Sequence, residues 1–151
     1  TLLPMLSFFS PECEWEQKRA FYYPRAEELE EFLAKLEDSS NKIAVYIFKW
    51  IISNNIDIIL SENASSLPCH LSMGMGIKKV VENTGIRVIC HDHDFHWERG
   101  KRYKSPFKEI NDLVNDTFPL IMPNAKHAVI NSYSKKLLKE KFKEAKNVKT
   151  K

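Results

Sequence analysis

The sequence predicts an α/β fold with an open, doubly wound and mostly parallel sheet. Three short apolar runs rich in β-branched residues, at 56–60, 86–90 and 127–131, alternate with longer segments of helical period. Strands of about five residues that alternate with helices are typical of right-handed βαβ units, which form parallel sheets covered on both faces. The length of 151 residues suits a single domain over residues 1–151.

The segments before the first of these strands predict one further strand and two helices. The apolar stretch Leu2–Phe9 predicts a strand, and Pro11 and Pro24 predict that an irregular loop follows it. Residues 25–38 predict a helix because acidic residues lie early and apolar residues recur on one face. Residues 41–54 predict a second helix, which is apolar on most of its circumference and therefore buried between layers.

Helices are also predicted after each of the three strands. Residues 67–83 predict a helix that opens near Pro68 and closes at Gly85, because proline favours the first turn of a helix and glycine its end. Another helix is predicted around residues 106–115. Ser132 is predicted to cap a last helix, with an apolar inner side.

Composition excludes several classes of protein. With 43% hydrophobic and 11% aromatic residues the chain is not intrinsically disordered. Three cysteines without a Cys-x-x-Cys pair exclude a disulfide scaffold and a cysteine-rich zinc module, and they indicate a reducing, cytoplasmic compartment. Neither G-x-G-x-x-G nor G-x-x-x-x-G-K-[ST] is present, so a complete dinucleotide fingerprint and a P-loop are excluded and no cofactor is expected. Thr1 begins neither a signal peptide nor a natural start, so we expect a piece of a longer polypeptide.

The positive charge is confined to the end of the chain. Residues 135–151 contain eight Lys and two Glu, whereas the remainder has 15 basic and 18 acidic residues. A nucleic acid partner is therefore not predicted. The lysine run predicts a solvated helix face and a frayed basic tail over residues 143–151. It also leaves open peripheral contact with a membrane surface.

Polar residues follow each of the three predicted strands. In an open α/β sheet, ligands bind beyond the carboxyl ends of the strands. The segments that arrive there are 61–65, 91–99 and 131–133, and all three are rich in hydrogen-bonding side chains. His70, in the first turn of the next helix, is predicted to face the same edge. His127 begins a strand, so we expect it at the opposite edge in a structural role.

The segment CHDHDFHWERGKRY holds three of the five histidines. A His-x-His pair after a strand is how several metal hydrolases place two ligands, so a metal-dependent hydrolase that uses His91, His93 and His96 is one alternative. The His-x-His-x-Asp-His pattern has Phe95 at its Asp position, and no further ligand cluster follows. We therefore expect no bound metal. A non-catalytic α/β domain whose loop contacts a protein partner is another alternative.

Three motifs in this order, ENASSLPCHLSMGMGI, HDHDFHWERGKRY and HAVINSYSKKLL, resemble the N-terminal half of retaining glycosyltransferases of family 4 over about residues 55–142. The resemblance implies a GT-B fold, in which two Rossmann-like domains face each other across the active site. It implies transfer of a hexosyl group from a nucleotide sugar to a hydroxyl of a sugar, lipid or small-molecule acceptor. The donor-binding domain would follow Lys151, and the family's glycine-rich loop either precedes Thr1 or has diverged. The isolated chain is then expected to be inactive.

The resemblance also assigns roles to the residues that match the motifs. His91 would contact the donor sugar, with His93 as the alternative catalytic histidine. Glu62 and Asn63 would hydrogen-bond to sugar hydroxyls, and Arg99 with its neighbouring cations would suit an anionic acceptor. The predicted substrate-binding residues are Glu62, Asn63, His70, Asp94, Trp97, Arg99, Arg102 and Ser132.

Overall fold

A computed structural model describes residues 3–143 and 148–150 and has an α/β architecture with a four-stranded, all-parallel sheet. Neighbouring strands follow each other in the chain, so the order across the sheet is β1 to β4. The strands are β1 (Ile58–Glu62), β2 (Arg87–Asp92), β3 (Ala125–Val129) and β4 (Val148–Thr150). The predicted α/β class and parallel sheet are confirmed.

The described part of the chain contains five α-helices. They are α1 (Pro11–Gln17), α2 (Leu29–Ser53), α3 (Leu71–Thr84), α4 (Lys108–Thr117) and α5 (Ser132–Lys141). A π-helical turn at Lys18–Tyr22 extends α1, and single 3-10 turns occupy Pro4–Leu6, Ala26–Glu28 and His96–Arg99. Within the described ranges, none of the helices is both long and apolar enough to cross a lipid bilayer.

The strand predicted over Leu2–Phe9 and the loop after it are wrong. From Leu3 onward this region is a 3-10 turn followed by α1. The sequence did contain the start signal of this helix, because Ser10 is followed by Pro11. The Ser10 hydroxyl accepts a hydrogen bond of 3.1 Å from the Cys13 backbone N–H, which is the usual N-cap arrangement.

The two helices predicted at 25–38 and 41–54 are one continuous helix, α2. The residues between the two predicted segments are polar, but none is Gly or Pro, so nothing there breaks the helix. Ser40 is fully buried, and its hydroxyl donates to the Glu37 carbonyl at 2.8 Å, which keeps it inside the helix. Lys79 of α3 donates to side chains of Glu37 and Asn41, so contacts with α3 stabilise the polar middle of α2.

The core lies on one face of the sheet. Val88, Cys90 and Ala125 are buried against α2 and α3, and Val129 is buried against Leu138 of α5. On the opposite face of β1, Leu60 is 64% exposed. Right-handed crossovers between consecutive neighbours put every connecting helix on the same side. The expected cover on both faces is therefore not found among the described residues.

The last third of the chain differs from expectation at two places. The cap of α5 is Asn131 and not Ser132, since the Asn131 side chain accepts a 2.8 Å hydrogen bond from the Ser134 backbone N–H. The predicted frayed tail contains β4, which pairs in parallel with β3. Residues 144–147 and 151 of that tail lie outside the described part. Gly85 ends α3 as predicted, in the left-handed conformation with φ of +68°.

The strand ends that were predicted to carry the site share one edge. In the parallel register Glu62 lies opposite His91, which in turn lies opposite Ala128. The segments that follow β1, β2 and β3 therefore leave the sheet on the same side. This edge is where α/β domains bind ligands.

Candidate functional site

Glu62, His91 and His93 form a cluster at the carboxyl ends of β1 and β2. His91 Nδ1 lies 2.9 Å from each carboxylate oxygen of Glu62, and His93 Nε2 lies 2.6 Å from Glu62 Oε1. The two imidazole rings meet edge to face with centroids 4.8 Å apart. The structure thus brings together the two predicted catalytic histidines and one predicted substrate-binding carboxylate.

The cluster is open to solvent on one side. The side chains of Glu62 and His93 are 54% and 47% exposed, whereas that of His91 is 19% exposed. Hydrogen bonding to His91 lowers the pKa of Glu62, and the bond to His93 adds to this effect. Glu62 is therefore an ionised acceptor that orients His91. His91 Nε2 has no hydrogen-bond partner among the described residues.

Asn63 fixes the two loops of this edge to each other. It has a left-handed backbone with φ of +55°, which asparagine adopts more readily than most residues. Its backbone N–H donates to the His91 carbonyl at 2.9 Å, and its side-chain oxygen accepts from the His93 backbone N–H at 3.1 Å. Its amide nitrogen donates to Asp94 at 3.4 Å. The predicted sugar contact is thus a residue that positions the histidine loop.

The other predicted contacts of the loop are engaged with protein groups. Asp94 forms an ion pair with Arg99. Trp97 stacks on the buried ring of Phe95 with centroids 4.6 Å apart and an interplanar angle of 10°. The Lys141 ammonium lies over the Trp97 ring, 4.8 Å from the ring centroid.

Two predicted contacts lie at the surface. The Arg102 guanidinium lies 5.3 Å from the centroid of the Tyr103 ring. Ser132 is the exposed first residue of α5. Among the described residues, neither side chain forms a hydrogen bond or an ion pair with the Glu62–His91–His93 cluster. The substrate-binding roles of Arg102 and Ser132 therefore remain predictions.

His70 is 1% exposed and belongs to a buried network. Its Nδ1 lies 3.0 Å from Glu16 Oε2, and its Nε2 lies 2.9 Å from the Met5 carbonyl oxygen. Burial alone would lower the pKa of His70, but the hydrogen bond and charge of Glu16, together with the Met5 carbonyl, raise it. Both ring nitrogens face acceptors, which requires the imidazolium form. His70 therefore holds α3 to the amino-terminal segment, and no ring nitrogen is left for a substrate.

His127 and Asp92 form a second buried pair. His127 lies in the middle of β3 and not at its start, and its Nδ1 is 2.7 Å from Asp92 Oδ2. The expected structural role of His127 agrees with its burial. Cys90 lies beside the pair, and burial, with a further contribution from Asp92, raises the pKa of its thiol to about 12.

His96 does not join the other two histidines of its loop. Its ring packs edge to face on Trp97, with centroids 5.0 Å apart. Burial, followed by the charge of Lys141, lowers the pKa of His96. In the described ranges, the groups with metal-binding spacing are Glu62–His91–His93 and Cys90–Asp92–His127, and neither includes His96. The three-histidine site of the hydrolase alternative is therefore not formed.

Sequence reasoning missed Glu16 and Asp92 as partners of histidines. Asp92 stands inside the histidine-rich motif, but alternation along β2 turns it to the buried face, away from His91. Glu16 lies 54 residues before His70, and the region around it was predicted to be loop. A buried carboxylate needs a partner, so a Glu on the apolar side of α1 was the available signal.

The fold is that of an α/β domain with polar side chains gathered beyond the carboxyl ends of its parallel strands, which is where such domains bind ligands. The chain is 33% identical over 88 residues to the mannosylglucosylglycerate synthase of Petrotoga mobilis, a match that covers 58% of the chain and 20% of that protein. It is 32% identical over 85 residues to the mannosylglucosylglycerate synthase of Thermotoga maritima, covering 56% of the chain and 19% of that protein.

These matches span about a fifth of the length of the curated relatives. No family model matches the sequence. No solved structure matches the chain.

Proposed function

We propose that the chain is the acceptor-binding, Rossmann-like N-terminal domain of a retaining glycosyltransferase of family 4 with the GT-B fold. It would help to transfer a hexosyl group from a nucleotide sugar to an acceptor hydroxyl. The observation that carries the proposal is the Glu62–His91–His93 cluster at the carboxyl edge of the sheet. The similarity to two synthases that make a glycoside supports the same class of reaction.

In this proposal, the groups that the transfer reaction requires are shared between two domains. The bond between the anomeric carbon and the diphosphate oxygen breaks, and its electron pair leaves with the diphosphate. The acceptor oxygen forms a bond to the same carbon and loses its proton. Cations around the diphosphate would come from a second domain, and this domain would position the sugar and the acceptor hydroxyl.

His91 is the residue that we propose to contact the donor sugar. Glu62 accepts a hydrogen bond from the His91 Nδ1–H, and His91 Nε2 is buried without a partner among the described residues, so Nε2 must become exposed before it can accept a hydrogen bond from a sugar hydroxyl. His93 shares the same carboxylate and is the alternative contact. The hydrogen bond from Nδ1 to Glu62 orients the His91 ring.

The acceptor that we propose is a small anionic glycoside. The relatives are named for a product that contains a glucosylglycerate unit, and glycerate carries a carboxylate. Arg99 is half exposed and forms an ion pair with Asp94. We propose that its guanidinium leaves the Asp94 carboxylate and binds the carboxylate of the acceptor instead. A mannosyl nucleotide is the corresponding donor, bound mainly by the second domain.

Calorimetric titration of the 151-residue chain with glucosylglycerate tests the acceptor part. We expect saturable binding that Arg99→Ala weakens about tenfold, since a hydrogen bond to a charged group contributes about 1.5 kcal/mol or more. The matched control is Arg87→Ala, because Arg87 is exposed at the opposite end of β2 and should leave binding unchanged. Equal weakening by both variants, or no binding at all, contradicts the proposed acceptor site.

The donor part is tested with product analysis. The 151-residue chain mixed with a mannosyl nucleotide and glucosylglycerate should form no product above the uncatalysed reaction. In the longer polypeptide that includes the donor domain, His91→Ala should reduce turnover strongly without unfolding the protein. Turnover by the 151-residue chain alone would refute the division between the two domains.

A further inference from the structure

We propose that Glu62, His91 and His93 form a binding site for a divalent transition-metal ion such as Zn²⁺, which inhibits the domain and is not its cofactor. The existence of the site is independent of the proposed function, whereas the inhibitory consequence rests on it. The site differs from the hydrolase alternative, which required His96. One carboxylate and two imidazoles, one of them from the loop after β2, supply the ligands.

The distances among the three side chains suit a single ion. Their potential ligand atoms all lie within 4.8 Å of one another. A tetrahedral zinc ion with Zn–N and Zn–O bonds near 2.1 Å separates its ligand atoms by about 3.3 Å. The present contacts of 2.6 Å and 2.9 Å to Glu62 would therefore need to open by less than about 1 Å to admit the ion.

The backbone already holds the three ligands in this arrangement. Glu62 and His91 are register partners on neighbouring parallel strands. His93 is fixed two residues later by its backbone N–H, which donates to the Asn63 side chain. Because these bonds exist before any ion arrives, little ordering of the ligands is required for binding.

The ligand set selects the kind of ion. Two imidazole nitrogens and one carboxylate favour Zn²⁺, Co²⁺, Ni²⁺ or Cu²⁺, whereas Mg²⁺ and Ca²⁺ prefer sites made of oxygen. The exposure of Glu62 and His93 gives the ion a path in and leaves a fourth position for water. The Cys90–Asp92–His127 group has comparable spacing but is fully buried, so it offers no such path.

An ion at this position would compete with substrate. It would take Nδ1 of His91 and the carboxylate that orients it, which are the groups proposed to position the donor sugar. It would also hold the His93 loop in one conformation. Binding of the ion would therefore remove the Glu62 hydrogen bond that orients His91 for the sugar.

Titration of the 151-residue chain with Co²⁺, followed by visible d–d absorption, tests the site without any substrate. We expect one saturable, intense band of tetrahedral type, which Zn²⁺ displaces and excess Mg²⁺ does not. Glu62→Gln and His93→Ala should each weaken Co²⁺ binding about tenfold or more, because each removes a ligand. The matched control, His96→Ala, should change it less than about twofold.

Three outcomes overturn the site. In the first, Co²⁺ gives no saturable absorption band. In the second, the control variant weakens Co²⁺ binding as much as the ligand variants do. In the third, Mg²⁺ displaces Co²⁺ as effectively as Zn²⁺ does. Circular dichroism of each variant verifies that the fold is retained. The inhibitory consequence is tested by repeating the product analysis of the longer polypeptide with Zn²⁺ present, where transfer from the mannosyl nucleotide should fall about tenfold. Undiminished transfer in the presence of Zn²⁺ overturns the inhibition, whereas an absence of transfer without Zn²⁺ alongside a normal Co²⁺ band counts against the proposed function only.

Discussion

Two Glu–His pairs of this protein have the same chemistry and opposite surroundings. Glu16 and His70 are each 1% exposed, and every polar atom of the His70 ring has a partner inside the chain. Glu62 and His91 lie at the edge of the sheet, where Glu62 is half exposed and His91 Nε2 has no partner among the described residues. The buried pair is satisfied by the fold, whereas the edge pair retains capacity for a ligand.

The comparison teaches that burial, and not residue type, separates the structural histidine His70 from His91, for which we propose a binding role. A buried charge must be paired for the chain to fold, so loss of its partner affects stability. An exposed pair is solvated in either state, so loss of its partner affects binding instead. The predictions below test this separation in order of decreasing effect.

Glu16→Ala is expected to lower the free energy of unfolding by about 3–5 kcal/mol, because it leaves the His70 imidazolium buried without a counter-charge. It also removes the acceptor of the Ser72 hydroxyl and backbone N–H. Urea unfolding followed by circular dichroism measures the change. Glu14→Ala is the matched control on the same helix, since Glu14 is exposed and pairs with Lys18, and little change is expected. Similar losses in both variants would contradict the separation.

Asp92→Asn tests the second buried pair and should have a smaller effect. Asparagine retains the shape and an oxygen that can accept the hydrogen bond from His127 Nδ1, but it removes the charge. A bond to a charged acceptor contributes more than a neutral one, so we expect a loss of about 1–2 kcal/mol in urea unfolding. A variant as stable as the parent would show that the Asp92 charge has no part in holding β2 to β3.

The sequence predicted the alternation of strands and helices because periodicity and Gly or Pro signals are local. Gly85 ended α3 as expected, and the polar ends of β1 and β2 were correctly assigned to one edge. The long contacts were not predictable from such signals. The bond between Glu16 and His70 spans 54 residues, and it changed His70 from a predicted contact of the substrate into a buried structural group.

The same limit explains why helices were expected to cover both faces of the sheet, although cover is found on one face of the described part. Ile58, Leu60 and Ile89 read as strand interior because they are apolar, yet all three are exposed. An apolar pattern indicates that a residue is suited to burial. Which face of the sheet the helices cover is determined by the order of the strands. The strand order β1 to β4 depends on pairing, which composition does not encode.

The raised pKa of His70 predicts a stability that falls as pH rises. The folded state holds the proton more tightly than the unfolded state, so the contribution is fully present below the unfolded pKa of about 6.5. It is lost as pH rises through the higher pKa of His70 in the folded protein. Urea unfolding of the parent chain and of His70→Gln should therefore differ most in mildly acidic solution and converge as pH rises. A difference that stays constant with pH contradicts the imidazolium assignment.

Acylation by diethyl pyrocarbonate, mapped by mass spectrometry, sharpens the comparison at the level of single rings. The reagent attacks an unprotonated ring nitrogen that solvent can reach. His93, with a side chain 47% exposed, should react first, and His91 more slowly. His70 and His127 are buried and should react only as fast as the chain unfolds. Reaction of His70 at the rate of His93 would mean that the two environments do not differ.

Glu62→Gln should have the smallest effect on stability and thereby complete the comparison with Glu16. Because the Glu62 side chain is half exposed, its bonds to His91 and His93 exchange with water at little net loss. The unfolding midpoint should remain that of the parent chain, while acylation of His91 becomes faster, since glutamine accepts the Nδ1 hydrogen bond less strongly than a carboxylate does. A large drop in stability together with unchanged acylation would show that Glu62 is a structural residue. That result would contradict the proposal that the cluster at the edge of the sheet binds a ligand.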